Sequence, residues 1–267
     1  MHTSKKIGVA QIGSKHGHAI SVLSTIINNP RVNFIGLYEP DLKRRNELKK
    51  DNNFPFNKIR FIDEEERIYD DDVLAIASEG SNKESLFHTY NAIKKGKHVF
   101  YDKPAGEDIK LFTEVVDLAK KSNLHLQLGY MFRYHQGFKK IIELIKSGKI
   151  GNIFSIRAHM STSIKSEMMK QISPHKGGIF YDLAGHMIDQ IVYMIGEPKK
   201  ITSFIRKDFS EIDNFNVDIN PNAKGVPPPP GREPKTRFVL LRDLVGVNKV
   251  SALSPLKDIS ATKSLEE

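Results

Sequence analysis

Ile7-Gly8-Val9-Ala10-Gln11-Ile12-Gly13 leads through Ser14-Lys15-His16-Gly17-His18 into the run Ala19 to Ile27. The first segment is a short apolar run ending at a glycine, the form of a buried parallel strand. In the last, Ile20, Leu23, Ile26 and Ile27 share one side at helical spacing, and Asn28-Asn29-Pro30 stops the helix. Val32 to Tyr38 reads as a second strand with Glu39 at its end. Strand, glycine turn, helix, strand and terminal acid follow the order of a dinucleotide-binding βαβ unit. The turn brings the backbone close to a pyrophosphate, whose charge sits at the helix N-terminus.

The match to the three-glycine fingerprint is partial. Gln11 stands at the first glycine position, Gly13 at the second, and His16, followed by Gly17, at the third. Gln11, Gly13, His16 and Glu39 are therefore the candidate cofactor contacts. Glu39 would accept hydrogen bonds from ribose hydroxyls and repel a 2′-phosphate, which favours NAD(H). Lys43 and Arg44 follow closely and keep NADP(H) open. The plain alternative for Glu39 is an acid that starts the next helix. His16 and His18 invite a metal reading, set aside because they lie at a helix start with no other evident ligand.

Working outward, the alternation continues. Pro40-Asp41 starts a helix through Leu48, Ile59 to Ile62 and Val73 to Ala77 are strand candidates, and Ser85 to Lys95 is helical and closes at Gly96. Lys97 to Tyr101 is a strand, Ile109 to Ser122 an amphipathic helix, and His125 to Tyr130 another strand. This order predicts a parallel, doubly wound sheet over residues 1–125. A second, truncated α+β domain with a mainly antiparallel sheet is expected over 126–206. There Gly137 to Ser147 is helical, Ile153 to Met160 alternates like a strand, Asp182 to Ile195 is helical, and Lys200 to Arg206 is strand-like. Residues 207–267 contain Val226-Pro227-Pro228-Pro229-Pro230-Gly231 and read as an irregular tail, apart from the periodic stretch Phe238 to Leu241.

The formal net charge of +9 comes from lysine doublets scattered along the chain. Without a basic block or aromatic-interleaved ladder, no nucleic-acid partner is expected. The charge would instead favour an anionic cofactor or substrate. The absence of cysteine excludes disulfides and thiolate metal sites. No apolar run approaches the ~18 residues of a membrane helix, and no secretion signal is read at the start, so a cytoplasmic location is expected.

Two distant segments carry chemistry. Asp102-Lys103-Pro104 follows the apolar run His98 to Tyr101. Gly177-Gly178-Ile179-Phe180-Tyr181-Asp182-Leu183-Ala184-Gly185-His186 places an aspartate and a histidine one helical turn apart. A cation and an acid/base pair are what proton removal from an alcohol needs while hydride leaves its carbon. The plain readings are a surface lysine after a strand and an ordinary helix pair. Asp182, His186, Asp189 and His175 also have the residue types of a divalent-metal set, but that reading leaves the lysine and the dinucleotide fold without a role; no metal is expected.

Taken together, these segments resemble the glucose-fructose oxidoreductase / inositol dehydrogenase / rhizopine catabolism (Gfo/Idh/MocA) family. The residues that carry the resemblance are Ile7 to Gly13, Gly96-Lys97-His98-Val99 leading to Asp102-Lys103-Pro104, Gly148-Lys149-Ile150-Gly151, and Gly177-Gly178 through Asp182, His186, Asp189 and Gly196-Glu197-Pro198. The resemblance implies an NAD(P)-dependent oxidoreductase acting on a sugar, cyclitol or similar polyol, with a C-terminal sheet that often makes homo-oligomer contacts. It places Lys103 at the reacting hydroxyl and cofactor, His186 as general base and Asp182 as substrate-orienting. Ser81-Asn82 falls where the family commonly has Pro-Asn near the nicotinamide, and Arg133 lies in a segment that often contacts substrate. The family's Glu-Lys-Pro appears here as Asp102-Lys103-Pro104. The likeness fades after Arg206, where relatives continue their sheet, which raises the expectation of a truncated or frame-shifted product. A non-catalytic dinucleotide-binding regulator and a degraded pseudoenzyme stand as alternatives.

Overall fold

The computed structural model describes residues 6–162, 172, 178–202 and 236–241. Its centre is a six-stranded sheet of β1 (Ile7–Ile12), β2 (Val32–Tyr38), β3 (Phe61–Ile62), β4 (Ala75–Ser78), β5 (His98–Tyr101) and β6 (Leu126–Leu128). The spatial order is β3-β2-β1-β4-β5-β6, and every pairing is parallel. The order reverses between β1 and β4. Open α/β sheets bind ligands in the crevice at such a switch point, beyond the carboxyl ends of the strands.

Between the strands run α1 (Ala19–Asn28), α2 (Leu42–Lys49), α3 (Ser85–Lys94) and α4 (Ile109–Lys121). On one face of the sheet, Ala92 and Ile93 of α3 and Val115 and Ala119 of α4 are buried with Ile76, Val99 and Tyr101. Leu23 of α1 is buried with Leu37 and Phe56 in a second cluster. Each fully buried Leu, Ile or Val contributes about 1.5–3 kcal/mol relative to exposure. Helix starts follow local chemistry. The Asp41 side chain accepts from the Arg44 amide, and Asp108 accepts from the Lys110 and Leu111 amides. His18 at the start of α1 makes no such capping bond, so the first turn facing the crevice is left uncapped.

Beyond the sheet, α5 (Gln136–Lys146) starts where the His135 ring nitrogen accepts from the Gly137 amide. The α6 helix (Gly178–Ile195) begins a turn earlier than the periodicity of Asp182 to Ile195 predicts. β7 (Arg157–Thr162) pairs antiparallel with β8 (Thr236–Leu241), so the periodic stretch of the tail is a strand. The strand expected over Ile153 to Met160 is displaced toward the C-terminus. Arg157 pairs with Leu241 at the end of β8, and Ile153–Ile156 have no ladder partner among the described residues. The rest of the expected antiparallel sheet, including residues 203–206 of the strand-like run, lies outside the described residues, as do His175 and the proline-rich stretch.

Candidate functional site

The site gathers at the carboxyl ends of β1, β4 and β5, facing α6. Gly13 ends β1 with φ +79, and its amide donates to the Tyr38 carbonyl at 2.8 Å. A Cβ there would lie 2.6 Å from the Gly80 amide nitrogen. Only glycine meets both demands, so the second glycine of the fingerprint is a steric necessity. Gln11, at the first position, is fully buried. Its amide nitrogen reaches the Gly13 carbonyl at 3.0 Å and the Ala19 carbonyl at 3.5 Å, so a side chain braces the turn. A Cβ on Gly17 would meet nothing within 4 Å. The uncapped start of α1 and this open backbone fit a pyrophosphate.

Glu39 is buried at the end of β2. One carboxylate oxygen accepts from the Asp41 amide at 3.1 Å and the other from the Ser14 hydroxyl. Arg44 holds the same serine, donating to its hydroxyl at 2.6 Å and its carbonyl at 2.7 Å, and lies 3.8 Å from Glu39. Ser14 is the member of this group that sequence reasoning did not select, whereas Arg44 was noted there for its bearing on cofactor preference. Ser81 sits past β4, where its amide and hydroxyl donate to Glu84; Asn82 follows it in the same turn, partly buried. Lys15 ties Glu84 back to the glycine turn at 2.9 Å.

Lys103 is buried just beyond β5. Its ammonium donates to the Asp182 carbonyl at 3.0 Å and stands 3.0 Å from the Asp182 carboxylate. His186, one turn further along α6, is buried beside the rings of Phe132 and Tyr130. Its Nδ1 has no hydrogen-bond partner among the described residues. Burial lowers the His186 pKa, and the Lys103 charge adds to the lowering. The imidazole is thus kept neutral and able to accept a proton. Tyr130 beside it is pushed up to about 12, chiefly by burial. Arg133 pairs with Asp189. Its guanidinium grips that carboxylate in a bidentate pair at 2.6–3.0 Å and lies 4.7 Å from the Tyr193 ring.

Asp102 faces the other way. Its Oδ2 is 2.7 Å from His18 Nδ1 and 3.5 Å from His16 Nδ1. Its other oxygen accepts from the Lys103 amide at 2.8 Å. Burial works to raise the Asp102 pKa, but the His18 hydrogen bond and the two imidazoles prevail and lower it. His18 is raised, chiefly by its hydrogen bond to Asp102. The fourth member is Glu79, fully buried after β4 and 3.5 Å from His16. Burial pushes its carboxyl up. Sequence reasoning missed Glu79, although an acid directly after an apolar strand is the same signal that selected Glu39.

A parallel sheet with a glycine turn at its switch point, an uncapped helix start and a strand-end acid defines a dinucleotide-binding Rossmann-type protein. Residues 7–130 match an oxidoreductase family with an NAD-binding Rossmann fold, and residues 138–224 match the GFO/IDH/MocA C-terminal domain. The chain belongs to the Gfo/Idh/MocA family. It is 27% identical over 209 residues to glucose-6-phosphate 3-dehydrogenase of Bacillus subtilis, covering 76% of this chain and 57% of that protein. It is 24% identical over 229 residues to the NADP(+) scyllo-inositol 2-dehydrogenase of the same organism, covering 81% and 61%. The apo scyllo-inositol dehydrogenase of Lactobacillus casei superposes with a TM-score of 0.60 at 22% identity, covering 73% of this chain and 56% of that one, a likeness of fold. The chain spans a little over half the length of these relatives. No described helix is long and apolar enough to cross a membrane.

Proposed function

We propose that the protein is an NAD(P)-dependent dehydrogenase or reductase for a sugar, cyclitol or similar polyol. The observation that carries this reading is the meeting of Lys103, just beyond the carboxyl end of β5, with Asp182 of a distant segment, with His186 one turn further along the same helix and near enough for the Lys103 charge to lower its pKa. Gln11, Gly13, His16, Glu39, Ser81 and Asn82 line the candidate dinucleotide side, and a bound nicotinamide would supply the hydride acceptor. The chain's own residues handle the proton and the charge. His186, held neutral by burial, takes the hydroxyl proton at a ring nitrogen. Lys103 stabilises negative charge developing on the substrate oxygen. Asp182 fixes the lysine ammonium through its carboxylate and carbonyl, which assigns it a positioning role beside its expected contact with substrate. Arg133, anchored by Asp189, borders the substrate side.

Glu39 favours NAD(H), and Arg44 beside it leaves NADP(H) accessible. The sugar and inositol dehydrogenases among the chain's relatives support a polyol or sugar substrate. A domain division near residue 125, a cytoplasmic location and self-association through the β7–β8 sheet complete the reading. The intact lysine–aspartate–histidine set favours an enzyme over a dinucleotide-sensing regulator. The test is a screen of polyols and sugars with NAD and NADP on the wild type and Lys103→Met. Turnover lost in the variant, with NADH binding kept, supports the reading; equal turnover in both overturns the role of Lys103.

A further inference from the structure

A second cluster sits beside Lys103 and has no part in the proton transfer. His16 and His18 come from the turn after β1, Glu79 from the end of β4 and Asp102 from the end of β5. One ring nitrogen each from His16 and His18 and one carboxylate oxygen of Asp102 lie within 4.8 Å of one another. Individual separations are 2.7 Å for His18–Asp102 and 3.5 Å for His16–Asp102. Ligands about 2.0–2.2 Å from a tetrahedral ion stand about 3.3–3.6 Å apart, so small shifts would admit one.

Two further observations point to a ligand. Glu79 is fully buried, yet both of its carboxylate oxygens lack a hydrogen-bond partner among the described residues. An unpaired buried carboxylate is costly, and one oxygen lies 3.5 Å from His16 Nδ1. The other nitrogen of His16, Nε2, lies 3.1 Å from the Lys103 carbonyl. An imidazole that donates its far N–H to a backbone carbonyl presents a lone pair at the near nitrogen, the outer-sphere arrangement of metal-binding histidines. The His18 amide, 3.2 Å from that near nitrogen, would give way.

We propose that His16, His18 and Asp102 form a divalent-metal site, with Glu79 completing it, for a borderline transition ion such as Zn²⁺, Co²⁺ or Mn²⁺. Two imidazoles with carboxylates and no thiolate suit such ions. The ion would cross-link three strand ends at the switch point and fix the Asp102-Lys103 turn, and so set the position of Lys103 from behind. Its role is structural and requires no step in the hydride chemistry.

The experiment is a titration of the metal-free full chain with Co²⁺, followed by calorimetry and visible absorption, with NADH fluorescence run on the same samples. The expected result is one Co²⁺ per chain, with binding weakened about 100-fold or more in His18→Asn, beyond the 10–100-fold typical of outer-sphere losses. Glu79→Gln should weaken it as well. A folded chain that takes up no stoichiometric Co²⁺ overturns the proposal, as does His18→Asn binding like the wild type. NADH binding without Co²⁺ uptake sinks the metal site alone, and Co²⁺ uptake by a chain that bound no NADH before the metal was added sinks the dinucleotide reading alone. Should His18→Asn fail to fold, Mn²⁺ added to the wild type decides. Selective broadening of the His16 and His18 ring resonances supports the site, and broadening elsewhere or nowhere overturns it.

Discussion

Asp102 and Lys103 are adjacent in the chain but belong to different regions of the molecule. Asp102 turns back into the Rossmann sheet, toward His16, His18 and Glu79, all of which precede it in the chain. Lys103 turns outward to Asp182 on α6, across the boundary between the two matched segments. The inward cluster is assembled by one sheet and needs only that sheet to fold. The outward pair exists only when α6 docks. Tyr181 supports that docking by donating to the Gly106 carbonyl, and the His186–Phe132 contact supports it from the far side. The proposed dinucleotide contacts therefore lie mainly in the first region, and the proposed proton chemistry depends on the seam.

The largest effect should come from cutting the seam at Lys103. Lys103→Met should lower kcat/KM by about 10³–10⁴-fold, since it removes both a positive charge at the developing oxyanion and the anchor of Asp182. NADH affinity, read by nicotinamide fluorescence, should stay within about threefold, because the other candidate dinucleotide contacts lie in the first region and are left intact. A comparable loss of NADH affinity would show that the two regions are not separable.

His186 sharpens the comparison through pH. Its folded pKa is lowered, first by burial and then by Lys103. In the oxidation direction, activity should therefore stay level down past the ordinary imidazole range and fall only below it, as the base becomes protonated. Replacing Lys103 by Met should raise the His186 pKa, measurable from its ring resonances by NMR even where turnover is gone. The linkage has a definite sign. As pH falls, the unfolded chain takes up this proton before the folded one, so the contribution of neutral His186 is full above the unfolded value and is lost as pH falls through the folded one.

Within the first region, Glu39 and Arg44 test cofactor choice. Glu39→Ala removes the acceptor at the end of β2 and leaves Ser14 to Arg44 alone. NADH affinity should fall about tenfold, the worth of a lost hydrogen bond to a charged group, and the preference should move toward NADPH. Arg44→Ala should weaken NADPH more than NADH. Parallel fluorescence titrations of both variants with both nucleotides read this directly.

The sheet was legible because its signals are local. Apolar runs ending at Gly13, Glu39 and Tyr101 mark strands whose neighbours are fixed by right-handed crossovers. The meeting of Lys103 with Asp182 was legible through motif resemblance, since no local periodicity joins residues that far apart. Two features stayed hidden for physical reasons. Gln11 looks like a defect in the glycine turn, but its buried amide replaces backbone freedom with a side-chain brace. The metal-like cluster needs Glu79 and Asp102 beside two histidines, and only the order of β1, β4 and β5 in space brings them together. The strand Ile153 to Met160 came out displaced because alternation marks which faces differ, while the ladder partner decides where pairing begins.

Arg133 provides the smallest and most diagnostic contrast. It lies beyond the sheet, on the turn Met131–Tyr134, and its only charged partner among the described residues is Asp189 of α6. The Asp189 side chain is 7% exposed and that of Arg133 is 43% exposed, so solvent screens one end of the pair. Arg133→Ala should therefore cost only about 1 kcal/mol in urea unfolding, above the median for exposed pairs because the grip is bidentate. If Arg133 merely clamps α6, kcat and NADH affinity should both survive, and Arg133→Lys should recover most of the stability. If it also meets substrate, KM should rise in both variants while stability and kcat hold. That split distinguishes a residue that assembles the seam from one that works at it.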